Sequence, residues 1–175
     1  MSKAFTKDDD GSAPQFVRSR PPLPRGVPNY VTARGLAELR DEREQLEAER
    51  ARWEAAGDAP TAAAVGARMV ELDARIGSAV VVAPPAGEAR ETIRFGASVL
   101  VRGVGEGGDR EIERRYQIVG VDEADAASGR IAFTAPLARA LLGRRMGDVA
   151  QLETLHGEES WLIRSVTYDD VPDPG

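Results

Sequence analysis

Acidic side chains stand at two places where the chain is expected to turn. One is Asp58, which is followed closely by Pro60; the other is the group Asp122, Glu123 and Asp125, which follows an apolar run. Carboxylates in loops can bind a cation or contact a basic partner surface, although clustered acids in loops are usually only solvated. Asp58 also has a purely structural interpretation, because an Asp before a Pro-led helix accepts backbone N–H groups as an N-cap. From spacing alone, all of these interpretations stay open.

Two other patterns are weaker. Residues 103–108 match the G-x-G-x-x-G pattern of dinucleotide-binding loops, but residues 110–121 alternate like a strand where that motif needs a helix. We therefore favour a hairpin loop. The single histidine, His156, precedes a glycine in an expected turn and has no serine nucleophile motif to serve. We expect it to be a surface residue.

The composition excludes several classes of site. The chain has no cysteine, which removes disulfides, Cys-ligated zinc, iron–sulfur clusters and thiol catalysis, and one histidine cannot form a histidine metal cage. With 23 basic and 29 acidic residues the net charge is -6, which argues against sequence-specific DNA binding. No apolar run approaches the ~20 residues that span a bilayer. We expect a cytoplasmic protein without membrane contact.

Residues 1–30 have the composition of a flexible leader. Their prolines disfavour helix, and their apolar residues have no periodicity. The proline-rich part, residues 20–28, is either a stiff spacer or a polyproline ligand.

Residues 31–80 have the pattern of a helical hairpin. Among Glu, Arg and Ala, apolar residues recur at spacings of three and seven, namely Leu36, Leu39, Leu46 and Trp53, which predicts an amphipathic helix that ends near Gly57. A second helix follows Pro60 and ends at residues 77–78. Its apolar positions are Ala62, Val65, Met69, Leu72 and Ile76. Two helices joined by a short turn pack antiparallel, so we expect a short coiled coil in a monomer. A coiled-coil adaptor that binds another helix along residues 39–53 is an alternative.

Residues 91–168 have the pattern of a β domain, after a linker at residues 81–90 and before a tail at residues 169–175. Short apolar runs with a period of two, separated by glycine-containing turns, predict an antiparallel sheet. One short helix is expected at residues 136–142, with Leu141 and Leu142 in the core and Leu137 and Arg139 facing outward. The predicted fold class is α+β: an N-terminal antiparallel helical hairpin and a curved antiparallel sheet that wraps over one short helix.

Several ordered segments resemble the Gre family of bacterial transcript-cleavage and elongation factors, over about residues 30–168. The strongest are RFGASVLV, YQIVGVDEAD, APLARALLG, GDVAQLET and WLIRSVTY. NYVTARGLAELRDEREQL is similar to the start of that family's coiled coil. The resemblance implies an FKBP-like carboxy-terminal domain that docks on the rim of the RNA polymerase secondary channel. It also implies that the coiled coil enters the channel and presents acidic residues beside the catalytic Mg²⁺.

The resemblance assigns roles to particular residues. The implied polymerase-binding residues are Asp122, Glu123, Asp125, Pro136, Leu137 and Arg139. Asp58 and Thr61 would form the coiled-coil tip, where Asp58 would contact the polymerase-bound Mg²⁺ in trans. The chain would need no cofactor of its own. It would not be an enzyme, because the polymerase would catalyse any RNA cleavage.

The chain departs from the family pattern in two ways. Thr61 stands where the family tip carries a Glu three residues after Gly-Asp. The hairpin is also short: residues 33–56 give a rod of roughly 36 Å, and we judge each arm about two turns, or roughly 11 Å, too short for cleavage. A carboxylate must come within about 2 Å of Mg²⁺ to bind it. The resemblance therefore implies a Gre-type factor that modulates elongation, either with weakened cleavage of backtracked RNA or, like the Rnk-type regulators, without it.

An FKBP-type prolyl isomerase is an alternative from another class. Such a site needs an aromatic-lined apolar pocket. Four Phe and two Trp in the whole chain make that lining hard to assemble.

Overall fold

The computed structural model describes residue 20 and residues 22–104, 112–155 and 157–169. Most of the predicted leader, the glycine loop after Val104, His156 and the tail after Asp169 lie outside the described residues.

The predicted helical hairpin is confirmed. Helix α1 covers Ala33–Ala55 and helix α2 covers Ala59–Ser78. The seam between them contains all the apolar positions predicted for α2, of which Ala62, Val65, Met69 and Leu72 are buried and Ile76 is partly buried. Leu39 and Leu46 of α1 lie against this row. At the margin of the seam, Arg43 Nε lies 2.9 Å from Asp73 Oδ1, so an ion pair between the arms takes the place of an apolar contact.

The base of the hairpin is closed by two short strands that the sequence did not predict. Strand β1, Asn29–Val31, precedes α1, and strand β2, Ala79–Val81, follows α2; the two pair in parallel. The Asn29 side-chain amide donates to the carbonyl of Arg75 at 2.9 Å and to Ser78 Oγ at 3.2 Å. The two ends of the hairpin are therefore tied to each other.

The second domain is a five-stranded sheet with one short helix. The strands are β3 Ala97–Val104, β4 Glu113–Val119, β5 Arg130–Ala132, β6 Val149–Thr154 and β7 Gly157–Tyr168, in the order β5-β4-β3-β7-β6. The helix, α3, covers Pro136–Leu141 between β5 and β6. Short 3-10 turns at Gly87–Glu91 and Ala126–Ser128 precede β3 and β5. The predicted α+β class is confirmed.

One strand pairing differs from the prediction of an antiparallel sheet. Strand β5 runs parallel to β4, with Arg130 beside Gln117, whereas the other pairs of this sheet are antiparallel. The reason is the connection through residues 120–129, which carries the chain back along β4 before β5 begins. A tight hairpin turn would have reversed the direction of the chain instead.

The core of the second domain lies between one face of the sheet and α3. Its fully buried residues include Ile93, Val99, Val101, Ile118, Ala138, Leu141 and Ile163. Leu141 enters this core as predicted, but Leu142 is only partly buried. Leu137, which we expected to face outward, is also partly buried against the core, whereas Arg139 is exposed as expected. Among the described residues, no helix is both long enough and apolar enough to cross a membrane.

Candidate functional site

The tip of the hairpin is organised around Asp58. Its carboxylate accepts hydrogen bonds from the Thr61 backbone N–H at 3.0 Å and from the Thr61 hydroxyl at 2.7 Å. Gly57 makes the turn possible with a φ of 76°, a conformation that side chains other than glycine rarely adopt. The two hydrogen bonds from Thr61, first that of the backbone, lower the pKa of Asp58 because they stabilise its charged form. The N-cap interpretation of Asp58 is confirmed.

The same contacts limit what the tip can do with a metal. Asp58 is a single carboxylate with a hydrogen bond on each oxygen. Within the part of the chain that the structure describes, no three His, Asp or Glu side chains come together to hold a metal ion. Asp58 could therefore contact a metal only as one ligand beside others that a partner provides. Its proposed contact with Mg²⁺ stays a prediction.

Glu123 lies in the junction between the hairpin and the sheet. One carboxylate oxygen accepts the backbone N–H of Thr32 at 2.9 Å and that of Gly120 at 3.1 Å. The other accepts the Thr32 hydroxyl. Thr32 is the N-cap of α1, and the residue Glu123 is only 3% exposed. This carboxylate therefore binds the start of α1 and does not face solvent.

Asp122 lies in the same junction, with its side chain 1% exposed. Arg20 Nη1 lies 3.2 Å from Asp122 Oδ1, and Arg75 Nη1, near the end of α2, lies 3.7 Å from Oδ2. Arg20 also forms an ion pair with Glu42 of α1. The guanidinium groups of the leader and of α2 thus neutralise this buried carboxylate.

These positions correct the prediction that Asp122 and Glu123 lie on a docking surface. Both side chains are occupied inside the protein by donors that come from far away in sequence, 102 residues for Arg20 and 91 for Thr32. The acidic loop alone did not indicate these partners. The one signal available was Thr32 itself, a good N-cap residue directly before the periodic pattern of α1.

Asp125 is the exposed acid of the group. It caps the turn Ala126–Ser128, where Ala127 N–H donates to its carboxylate at 3.1 Å, and its side chain is 42% exposed. Hydrogen bonds from Ser128 and Ala127 lower the pKa of Asp125. Backbone hydrogen bonds also join Asp125 to Arg130, the first residue of edge strand β5. Asp125 therefore belongs to the surface of the sheet edge.

The predicted α3 residues flank the other end of β5. Pro136 and Arg139 are exposed, and Leu137 is half-buried. Because α3 follows β5 after a short turn, Asp125, Pro136 and Arg139 border the same edge strand. We call these three residues the β5 surface. It retains the accessible half of the six predicted polymerase-binding residues.

The comparisons with known proteins find relatives by sequence. The family described as "Transcription elongation factor, GreA/GreB, C-term" matches residues 88–168. "Transcription elongation factor GreA" of Methylobacterium nodulans is 35% identical over 145 residues, which cover 83% of this chain and 82% of that protein. The protein of the same name from Psychrobacter cryohalolentis is 39% identical over 103 residues, 59% of this chain. In that second case the match spans only 63% of the relative's length.

Two solved structures are also similar. GreA factor homolog 1 of Thermus thermophilus aligns over 81% of this chain and 99% of its own, with a TM-score of 0.37 and 20% identity. The GreA/GreB elongation factor of Nitrosomonas europaea aligns over 79% of this chain and 98% of its own, with a TM-score of 0.39 and 20% identity. The sequence matches carry the assignment. On the identity and coverage of the Methylobacterium relative, this chain belongs to the GreA/GreB family of transcription elongation factors.

Proposed function

We propose that this protein binds bacterial RNA polymerase at the secondary channel and modulates transcript elongation. In this proposal the sheet domain docks on the channel rim, and the hairpin enters the channel with Asp58 at its leading end. Family membership supports the partner. The contacts of α1 support the proposed entry of the hairpin into the channel, because they are with the sheet domain near the start of the helix and not farther along the described part of it.

The contacts of α1 change along its length. Near its start, Thr32 binds Glu123, Arg34 donates to Gln117 at 2.7 Å, and Glu38 accepts from Arg130. From Arg43 onward, the polar contacts of α1 among the described residues are with α2 or within α1: Arg43 pairs with Asp73, and Glu49 lies 3.7 Å from Arg68. Within the part of the chain that the structure describes, the distal part of the hairpin thus packs on itself and not on the sheet, as a rod that enters a channel must do.

The β5 surface is the proposed docking site. It combines an exposed carboxylate, Asp125, an exposed guanidinium, Arg139, and the apolar ring of Pro136, all on or beside an edge strand. Such a mixture suits a polar interface of moderate size, in which opposite charges set the orientation of the two partners. The protein would act as a cytoplasmic monomer.

Any chemistry would belong to the polymerase. The tip offers one carboxylate, that of Asp58. Thr61 stands where the family tip carries a Glu, and its hydroxyl donates to the Asp58 carboxylate. Helix α1 has 23 residues, which corresponds to a length of roughly 34 Å. We therefore propose that the chain occupies the channel with weak or no stimulation of RNA cleavage, as a Rnk-like regulator would. Asp58 would contact polymerase-bound Mg²⁺ only if the arms reached it.

A binding experiment tests the proposal. A fluorophore attached at residue 158, on the sheet domain, reports binding of the chain to core polymerase through anisotropy. We expect saturable binding, and the double variant Asp125→Arg, Arg139→Glu should weaken it at least tenfold. The matched control is Glu153→Arg with Arg164→Glu, which reverses two exposed charges on β6 and β7, at the side of the sheet away from β5. Failure of the parent chain to bind at micromolar concentrations would refute the proposal. Equal losses in the two double variants would refute the choice of docking surface.

A further inference from the structure

The junction between the hairpin and the sheet has an apolar side and a charged side. On the apolar side, the ring of Tyr30 from β1 lies 5.9 Å from Phe95 and 5.6 Å from Phe133, centroid to centroid, and the two phenylalanines are 5.7 Å apart. The rings form a tilted cluster, which is a favourable aromatic geometry. This cluster holds the domains together, but rings in such contact tolerate a range of relative orientations.

The charged side restricts the relative orientation of the two domains more tightly. Its contacts depend on a close approach of the two backbones, which glycine residues allow. A Cβ at Gly35, in the first turn of α1, would overlap the carboxyl group of Glu123. A Cβ at Gly120 would lie 2.5 Å from the carbonyl oxygen of Tyr30 and 2.9 Å from Glu123 Oε1. The Glu123 carboxylate is thus enclosed by the start of α1 on one side and by the backbone after β4 on the other.

The two neighbouring carboxylates contact the two arms of the hairpin, each at its base. Glu123 accepts hydrogen bonds from Thr32, directly before α1, whereas Asp122 forms a longer ion pair, at 3.7 Å, with Arg75 in the last turn of α2. Arg20 fills the remaining side of Asp122 and joins it to Glu42. A rigid rod attached at one point can pivot. A rod held at the root of each arm by adjacent residues of one short loop cannot pivot without breaking a buried charged contact.

We infer that Asp122 and Glu123 are positioning residues that fix the direction of the helical hairpin relative to the sheet domain. They act through Arg75 and Thr32 and not by contact with a partner. The effect at the tip is large because the hairpin is a lever: at a length of roughly 34 Å, a tilt of about 10° at the base moves Asp58 by roughly 6 Å. The inference concerns the isolated chain and does not depend on polymerase binding.

The absence of cysteine from the sequence permits a direct test. Spin labels on the double variant Ala56→Cys, Glu158→Cys would lie near the tip of the hairpin and on the sheet domain, both at exposed positions. Double electron–electron resonance spectroscopy then gives the distribution of distances between the two spin labels. The parent chain should give one narrow distribution. Glu123→Ala should at least double its width or move its centre by several ångströms, while circular dichroism retains the helical signal.

Two further variants keep the test decisive. Glu123→Gln keeps an oxygen that can accept the N–H groups of Thr32 and Gly120, so its distribution should be narrower than that of Glu123→Ala. If Glu123→Ala does not fold, Asp122→Asn removes the charge that faces Arg75 and leaves the contact with α1 in place, and it should broaden the distribution. The matched control, Glu71→Ala, removes an exposed carboxylate from α2 and should leave the distribution unchanged.

The outcomes separate this inference from the proposed function. Unchanged distributions in folded Glu123→Ala and Asp122→Asn would overturn the positioning role, whatever the chain binds. Broad distributions in these variants would support it even if the parent chain failed to bind polymerase.

Discussion

The hydroxyl of Thr32 donates to a Glu123 carboxylate oxygen and accepts the backbone N–H of Gly35 at 2.9 Å. One side-chain oxygen therefore caps α1 and also links that helix to the sheet domain. The two roles reinforce each other, because the hydroxyl proton points to the carboxylate and leaves a lone pair directed at the helix. The start of the hairpin and the loop after β4 are thus a single hydrogen-bonded unit.

Replacement of this hydroxyl should be costly. Thr32→Val keeps the shape of the side chain but removes both the helix cap and one donor to the buried Glu123 carboxylate. We expect a loss of roughly 1–3 kcal/mol in the free energy of unfolding, measured by urea denaturation. Thr32→Ser retains the hydroxyl and should lose much less. A Val variant within about 0.5 kcal/mol of the parent, the range usual for surface substitutions, would contradict the dual role.

Two helix glycines should respond in opposite directions to the same substitution. Gly66, in α2, has open space where a Cβ would be placed, so Gly66→Ala should gain up to about 1 kcal/mol of stability from helix propensity. Gly35→Ala gains the same propensity, but its methyl group would overlap the Glu123 carboxyl group. We expect a net loss of roughly 1–3 kcal/mol, typical of overpacking. Thermal unfolding of the two variants beside the parent measures both, and a stabilised Gly35→Ala would show that the junction can relax.

Local sequence patterns predicted the elements of this fold well. The heptad spacing of Leu39 and Leu46 and the three–four spacing from Ala62 to Ile76 located both arms, because a solvated helix shows which side it buries. Pro60 and Gly57 located the turn. The short helix α3 followed from the Pro at its start and the Gly past its end. In each case the signal lay within a few residues of the feature that it predicted.

Long-range contacts were harder to predict. The acidic loop looked exposed because charged loops usually are, yet Asp122 is buried by guanidinium groups supplied from the leader and from α2. Strand β5 has three residues, too few for an alternation pattern to show the direction in which it pairs. Strands β1 and β2 are equally short and pair only because α1 and α2 bring their ends together. In these cases the tertiary context decides, and a single sequence does not display it.

The capping contacts of Asp58 should make the stability of the hairpin depend on pH. Because hydrogen bonds from Thr61 lower the pKa of Asp58 below its ordinary value of 3.8, the folded state favours the charged carboxylate. The stabilisation is therefore fully present above the unfolded-state pKa and is lost as the pH falls through the lower folded-state pKa. Asp58→Ala should melt a few degrees below the parent at pH 7, and the difference should shrink below about pH 4.

Asp58→Asn serves as the control for this measurement. Asn also accepts a hydrogen bond at an N-cap but does not titrate. Its melting temperature should stay close to that of the parent at pH 7, and its difference from Asp58→Ala should persist in acid. If the difference between the parent and Asp58→Ala were constant from pH 7 to pH 2, the carboxylate charge would have no part in the cap.

In the proposed function, either the short arms or the missing tip carboxylate limits RNA cleavage. If reach is limiting, Thr61→Glu alone should not raise cleavage of a stalled elongation complex, although it restores the second acid of the family tip. Duplication of residues 43–49 in α1 together with residues 67–73 in α2 adds one heptad to each arm, about 10 Å, and keeps the seam in register. The lengthened chain with Thr61→Glu should increase cleavage at least tenfold over the lengthened chain alone, and Asp58→Asn in that background should remove the gain. Strong cleavage by Thr61→Glu at the natural length would instead identify the missing carboxylate, and not the short arms, as the cause of the weak cleavage that we propose.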